Sequence, residues 1–351
     1  MHQARAWGNE REGPIEGMSA RWLRNLLISL LVAGLFLALA FRNVKLDELG
    51  QALGRFHPAW LVPAIAISLL LQVFRAWRWQ LELRPLARIS LGRLWVVTSI
   101  AYMSINLLPV RMGEIVRPWL LSRRSSVTFS NVVGNLVIEK TMDSIVIVFY
   151  ILAGLLTTAD LPLWVRRGAL FPAIGAAVLV ALVLLLWWRG EGFVDRWVVH
   201  YLPERFGAGL KRLLHAILDG MKILPDSRLL GAVFLVSLAL WFLPVLSSYV
   251  IIRAFHFDAP FNAALIVFIF IGFGTALPQA PGMIGTYQYA CILALALFGV
   301  PQADALAYGL VLNAIQLISL IGQGLVALPL AGVRLEDLVR ARREVSAEPA
   351  A

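Results

Sequence analysis

Two short stretches of this sequence hold ionisable side chains at spacings that bring them together. In NLLPVRMGEIVRP, from Asn106 to Pro118, Arg111, Glu114 and Arg117 recur every three residues, which on a helix places them on one face. In EKTMD, from Glu139 to Asp143, two carboxylates lie one helical turn apart inside a long apolar run, and Lys140 is spaced to pair with Asp143. These residue types suit anion recognition, because the planar donor fork of arginine matches phosphate oxygens. Arg111, Arg117 and Lys140 then read as a cationic pocket for an anionic headgroup, with Glu114, Glu139 and Asp143 holding the cations apart or titrating. The same groups would equally serve as structural ion pairs joining two helices, or as markers of a cytoplasmic boundary. A third stretch, LPQAPGMIGTYQ from Leu277, is polar without charge: Pro278, Gln279, Pro281, Gly282, Gly285, Thr286, Tyr287 and Gln288. Proline enforces a break and glycine permits close backbone approach, so this segment could meet the polar part of a lipid. Asn313, Gln316 and Gln323 on the last apolar run would face it, although such residues also act as glue between membrane helices.

Other chemistries find little footing. Cys291 is the one cysteine, and His2, His57, His200, His215 and His256 are scattered, so neither a disulfide nor a metal site is expected. No nucleophile elbow, HExxH helix or phosphate-cradling glycine loop occurs, and no cofactor is implied. Paired carboxylates such as Glu139 and Asp143 leave room for acid–base work on a lipid phosphate. The formal charge of +10 does not point to nucleic acid, since Lys and Arg gather at the ends of apolar runs.

The elements that must position these residues are membrane helices. With 60% apolar and 15% charged residues, the chain has more apolar surface than a soluble fold buries. Runs such as Leu26 to Phe41 and Leu170 to Trp188 approach the roughly 20 residues that cross a hydrocarbon core. The first run follows a polar tail and has no small-residue cleavage pattern behind it, so it reads as a retained anchor. Spans are expected at 22–41, 59–79, 131–158, 169–188, 229–252 and 303–331, with broken apolar regions at 94–122 and 261–300. Between 189 and 228, Leu210, Leu213, Leu214, Ile217, Leu218 and Met221 recur at helical spacing opposite Lys211, Arg212, His215 and Lys222, the pattern of a helix lying in the interface. Trp77, Trp79, Trp187 and Trp188 read as interfacial anchors.

Basic residues favour cytoplasmic loops, which fixes an orientation. Arg5, Arg11, Arg21 and Arg24 precede the first span, Arg75, Arg78, Arg84, Arg88 and Arg93 follow the second, and Arg123 and Arg124 precede the fourth. For all to be cytoplasmic, region 94–122 must enter and return, turning near Pro109. The basic stretch 189–228 and the tail with Arg334, Arg340, Arg342 and Arg343 likewise require 261–300 to enter and return from the other side, breaking at PQAPG. The expected fold is an all-α polytopic transmembrane bundle with two re-entrant broken-helix hairpins. Repeat 1 covers 59–158 and repeat 2, upside down, covers 229–331. The tails 1–21 and 332–351 are both expected in the cytoplasm, in a prokaryotic plasma membrane.

The ordered set RAWRW from Arg75, NLLPVRMGEIVRP, EKTMD and PQAPGMIGTYQ resembles the lysylphosphatidylglycerol synthase transmembrane-region family, over about 22–331. That resemblance implies a flippase-like protein, since such a domain in multiple peptide resistance factors is thought to move aminoacylated phosphatidylglycerol between leaflets. The implied partners are membrane lipids, an anionic phospholipid or a polyprenyl phosphate, and a separately encoded lipid synthase or glycosyltransferase. The residues that carry it over are Arg111, Gly113, Glu114, Arg117, Glu139, Lys140, Asp143, Pro281, Gly282 and Gly285. The sequence ends about 20 residues after its last span, so the soluble aminoacyl-transferring domain of bifunctional members is not expected. The rival reading is a membrane enzyme acting on a lipid phosphate or glycosyl carrier; a third, a non-catalytic support for a separately encoded synthase, predicts that neutralising both charged clusters is tolerated.

Overall fold

The computed structural model describes residues 20–107, 113–158, 161–190, 226–275 and 280–338, with a few more between 192 and 221. Regular structure among them is helical throughout: α1 Ala20–Phe41, α2 Leu46–Gly54, α3 Leu61–Leu83, α4 Leu91–Leu107, α5 Gly113–Ser122 and α6 Phe129–Thr157. There follow α7 Leu163–Gly168, α8 Leu170–Arg189, α9 Ser227–Ala254, α10 Phe261–Thr275, α11 Thr286–Ala296 and α12 Gln302–Ala331. Local chemistry sets many of the ends. The Thr128 hydroxyl accepts from the Asn131 amide at 3.2 Å to open α6, and the Asp226 carboxylate accepts from Leu229 at 3.0 Å to open α9.

Among the described residues, four segments are long and apolar enough to cross a membrane: Pro58–Leu83, Leu163–Arg189, α9 and α12. Leu27–Phe41 and Leu46–Gly54, bent by 81°, make a fifth if taken as one span. At 29 residues α6 has the length, about 43 Å at 1.5 Å per residue, but Glu139, Lys140 and Asp143 interrupt its apolar character. Leu31, Val62, Leu156, Phe171 and Ile318 point outward and exposed, as side chains facing hydrocarbon do. This is a polytopic α-helical membrane protein.

Both broken regions fold back on themselves, α5 against α4 and α11 against α10. In the second, a 3₁₀ turn at Pro281–Met283 leads into α11 through Gly285, whose φ of +90° favours glycine. A Cβ on Gly285 would also lie 2.5 Å from the Ala33 carbonyl oxygen, so the missing side chain is what lets α1 lie against this hairpin.

The packing of the two halves has one rule. α3 packs on α9; α4 packs on α12 as α10 packs on α6; and α3 touches α12 as α9 touches α6. Exchanging α3, α4, α5 and α6 for α9, α10, α11 and α12 converts this set of neighbours into itself. Most of 189–228 lies outside the described residues. Of its expected apolar face, Ile217 and Met221 are buried against Leu81, Ile138, Met142, Val183, Val233 and Val236, so this part rests on protein.

Candidate functional site

The site begins with the charges that α6 carries into the bundle. Glu139 and Asp143 are both buried, and a buried charge persists only if it is paired and hydrogen-bonded. The pairing comes mainly from α3. Arg78 Nη2 donates to Glu139 Oε1 at 2.8 Å, Arg78 Nη1 donates to Asp143 Oδ1, and its Nε lies 3.5 Å from Glu82 Oε1 one turn along the same helix. Arg117 on α5 takes the other Glu139 oxygen at 2.7 Å. The Arg117 guanidinium also lies 3.9 Å from the centre of the Trp79 ring, a cation–π contact. The Trp79 indole N–H donates to Asn135 Oδ1 at 3.0 Å, and from α9 the Trp241 indole N–H donates to Asp143 Oδ1 at 2.7 Å. One network of charge-assisted bonds thus ties together α3, α5, α6 and α9, and removing one partner of such a buried pair typically costs about 3–5 kcal/mol.

Beside the network opens a cavity of about 1290 Å³, larger than the roughly 300–1,000 Å³ of common small-molecule pockets. One wall is charged and polar, with Arg75, Arg78, Tyr102, Asn106, Glu114, Arg117, Lys140 and Asp143; Pro281, Gly282, Tyr287 and Gln316 contribute from the second half. Much of the remainder is apolar, including Phe171, Leu179 and Phe268. A polar end on an apolar chamber has the amphipathic character of a lipid.

The structure brings the expected residues together unevenly. Arg117, Glu139 and Asp143 belong to the buried network, while Glu114 and Lys140 are exposed and line the cavity. Arg111, Pro278 and Gln279 lie outside the described residues. In the second hairpin Pro281, Gly282 and Tyr287 reach the cavity. Thr286 and Gln288 are turned inward: Thr286 Oγ1 donates to the Met283 carbonyl at 3.0 Å, and Gln288 Oε1 accepts from the Gly285 amide at 2.7 Å. From α12, Asn313 Nδ2 donates to the Gly282 carbonyl at 3.1 Å, whereas Gln323 bonds its own helix at Ser319.

Three expectations are corrected. Lys140 does not pair with Asp143, which Arg78 and Trp241 occupy, and it forms no ion pair among the described residues. Arg78 does not follow the second span but lies within α3, 3% exposed. Trp79 is fully buried, whereas Trp77, Trp187 and Trp188 are exposed as anchors should be. The residues that sequence reasoning missed, Arg75, Arg78 and Glu82, share a helix face by their spacing of three and four, a signal that was present in LQVFRAWRWQLEL.

Fold and site together define a polytopic helical membrane protein with a buried ion network beside an amphipathic chamber. Residues 26–324 match the family described as the lysylphosphatidylglycerol synthase TM region, and the chain belongs to it. A UPF0104 membrane protein of Methanothermobacter thermautotrophicus is 26% identical over 257 residues, covering 69% of this chain and 75% of the relative. A second UPF0104 membrane protein of that organism is 21% identical over 310 residues, covering 83% and 90%. Glycosyltransferase AglD of Haloferax volcanii is 26% identical over 324 residues, 82% of this chain but 52% of the relative, so the chain spans about half of that protein. No solved structure matches the chain.

Proposed function

We propose that this protein carries the headgroup of an anionic lipid, a phospholipid, an aminoacyl-phospholipid or a polyprenyl phosphate, between the leaflets of a plasma membrane. The observation that carries the reading is the single chamber that joins the charged wall of α3, α5 and α6 to the turn of the second hairpin. Paired repeats with substrate held between interrupted helices are a recurrent transporter plan. The exchange rule in the packing supports reading 59–158 and 229–331 as such a pair, one inverted on the other. In this reading the headgroup crosses through the chamber, the acyl chains stay in lipid, both termini are cytoplasmic, and a separately encoded synthase supplies or consumes the lipid.

The test is leaflet exchange of fluorescent anionic lipids in proteoliposomes. Wild type should accelerate exchange of an anionic lipid well above protein-free vesicles, and phosphatidylcholine much less. The kinship to a relative named a glycosyltransferase favours one second reading, that the chain is an accessory subunit or enzyme of glycolipid synthesis acting on a lipid phosphate. Absence of exchange with every phospholipid and polyprenyl phosphate tried would reject translocation in favour of that reading.

A further inference from the structure

We infer that the anion in the chamber is gripped by Arg75 and Lys140, while Arg78 and Arg117 serve as internal counter-ions. The inference rests on the lipid-phosphate reading above and names the contacts within it. A cation attracts an anion only with charge it has not already spent. Arg78 and Arg117 are hydrogen-bonded to two buried carboxylates, Glu139 and Asp143, so the charge of the two arginines is already balanced where they sit. Both Glu139 oxygens and one Asp143 oxygen are bonded within this set, and an incoming phosphate would have to displace them.

Arg75 and Lys140 are placed differently. Arg75 lies one turn before Arg78 on α3 and lines the chamber, yet its contacts are neutral. Its Nη1 donates to Gln72 Oε1 at 3.2 Å, and its guanidinium lies 3.9 Å from the centre of the Tyr102 ring. These contacts aim the fork without quenching its charge; Gln72, fully buried, is a positioning residue. Lys140 lines the same chamber from α6, is exposed, and forms no ion pair among the described residues. Both cations line the one cavity together with Tyr102, whose ring Arg75 covers. A planar fork on one side and a mobile ammonium on the other suit a tetrahedral phosphate that must be held and then released. The same chemistry would admit free phosphate, so the source is a matter for the test.

The purified full-length chain in detergent is titrated with phosphatidylglycerol, phosphatidylcholine or inorganic phosphate, and bound molecules are counted by native mass spectrometry. Wild type should retain phosphatidylglycerol in preference to the other two. Arg75→Gln and Lys140→Gln should each weaken retention about tenfold and the double variant further, from the loss of charge-assisted bonds. Arg75→Lys and Lys140→Arg should restore part of it, and an unchanged melting temperature will show that the variants fold. A double variant that folds and retains phosphatidylglycerol as wild type does overturns the inference while leaving the lipid reading standing. Retention of inorganic phosphate alone, lost in the double variant, supports the two cations and overturns the lipid reading. A wild type that holds neither probe overturns both.

Discussion

Arg78 illustrates how one residue can serve a site without touching what the site holds. Its side chain is 3% exposed and hydrogen-bonded to Glu139 and Asp143, so its charge is what allows these two carboxylates to stay inside the bundle. Arg78→Gln should therefore destabilise the fold by about 3–5 kcal/mol, the usual effect of stripping one partner from a buried ion pair. Thermal unfolding in detergent should show that loss, whereas Arg75→Gln, which removes no carboxylate's partner, should melt close to wild type. Equal melting of the two variants would mean that the network does not hold the helices together. The charged half of the site was legible in the sequence only where charge broke an apolar run. Glu139 and Asp143 announce themselves in that way, and both prove buried. Arg75 and Arg78 follow an apolar run directly, where basic residues ordinarily mark a membrane boundary. The burial of Arg78 comes from Glu139 and Asp143 of α6 meeting it across the bundle, a tertiary event with no local signature.

At the level of helices, expected and observed boundaries agree within a few residues: 131–158 against α6 Phe129–Thr157, and 303–331 against α12 Gln302–Ala331. Length and apolarity are local properties and survive folding, as do breaks made by proline and glycine. Which helix lies against which is not local, and the sequence marks it only by the small residues that permit close approach. Gly324 on α12 is one of these. A Cβ there would fall 2.3 Å from Met103 Cβ on α4, across the contact that joins the first hairpin to the other half. Gly324→Val should force α4 and α12 apart, lowering the melting temperature by several degrees and slowing leaflet exchange. Pairing it with Met103→Gly should recover part of both, because the nearest clash is with the Met103 Cβ, which an alanine would keep. Failure of the smaller partner to rescue would mean that the contact is not where the strain resides.

The whole molecule was legible in outline because the length of its apolar runs limits which segments can span a membrane, while the sidedness of basic loops adds an expected orientation. The two hairpins follow from those constraints, but the exchange rule that relates the halves appears only once the packing is known. That rule, read as an inverted repeat, makes a topological prediction. If both hairpins enter and return, the loops flanking the first share one side of the membrane and the loops flanking the second share the other. Ser90 and Ser126 flank the first hairpin, Asp258 and Pro301 flank the second, and all four are exposed. The native Cys291 is buried, so single cysteines at these positions can be read against a quiet background. In intact cells a membrane-impermeant maleimide should label Asp258→Cys and Pro301→Cys but leave Ser90→Cys and Ser126→Cys untouched until the membrane is opened, which places the arginine-rich loops inside. Labelling of Ser90→Cys and Ser126→Cys from opposite sides would make the α4–α5 region a true crossing. The two halves would then no longer be inverted copies, and a translocation path built on their alternation would fall with the symmetry.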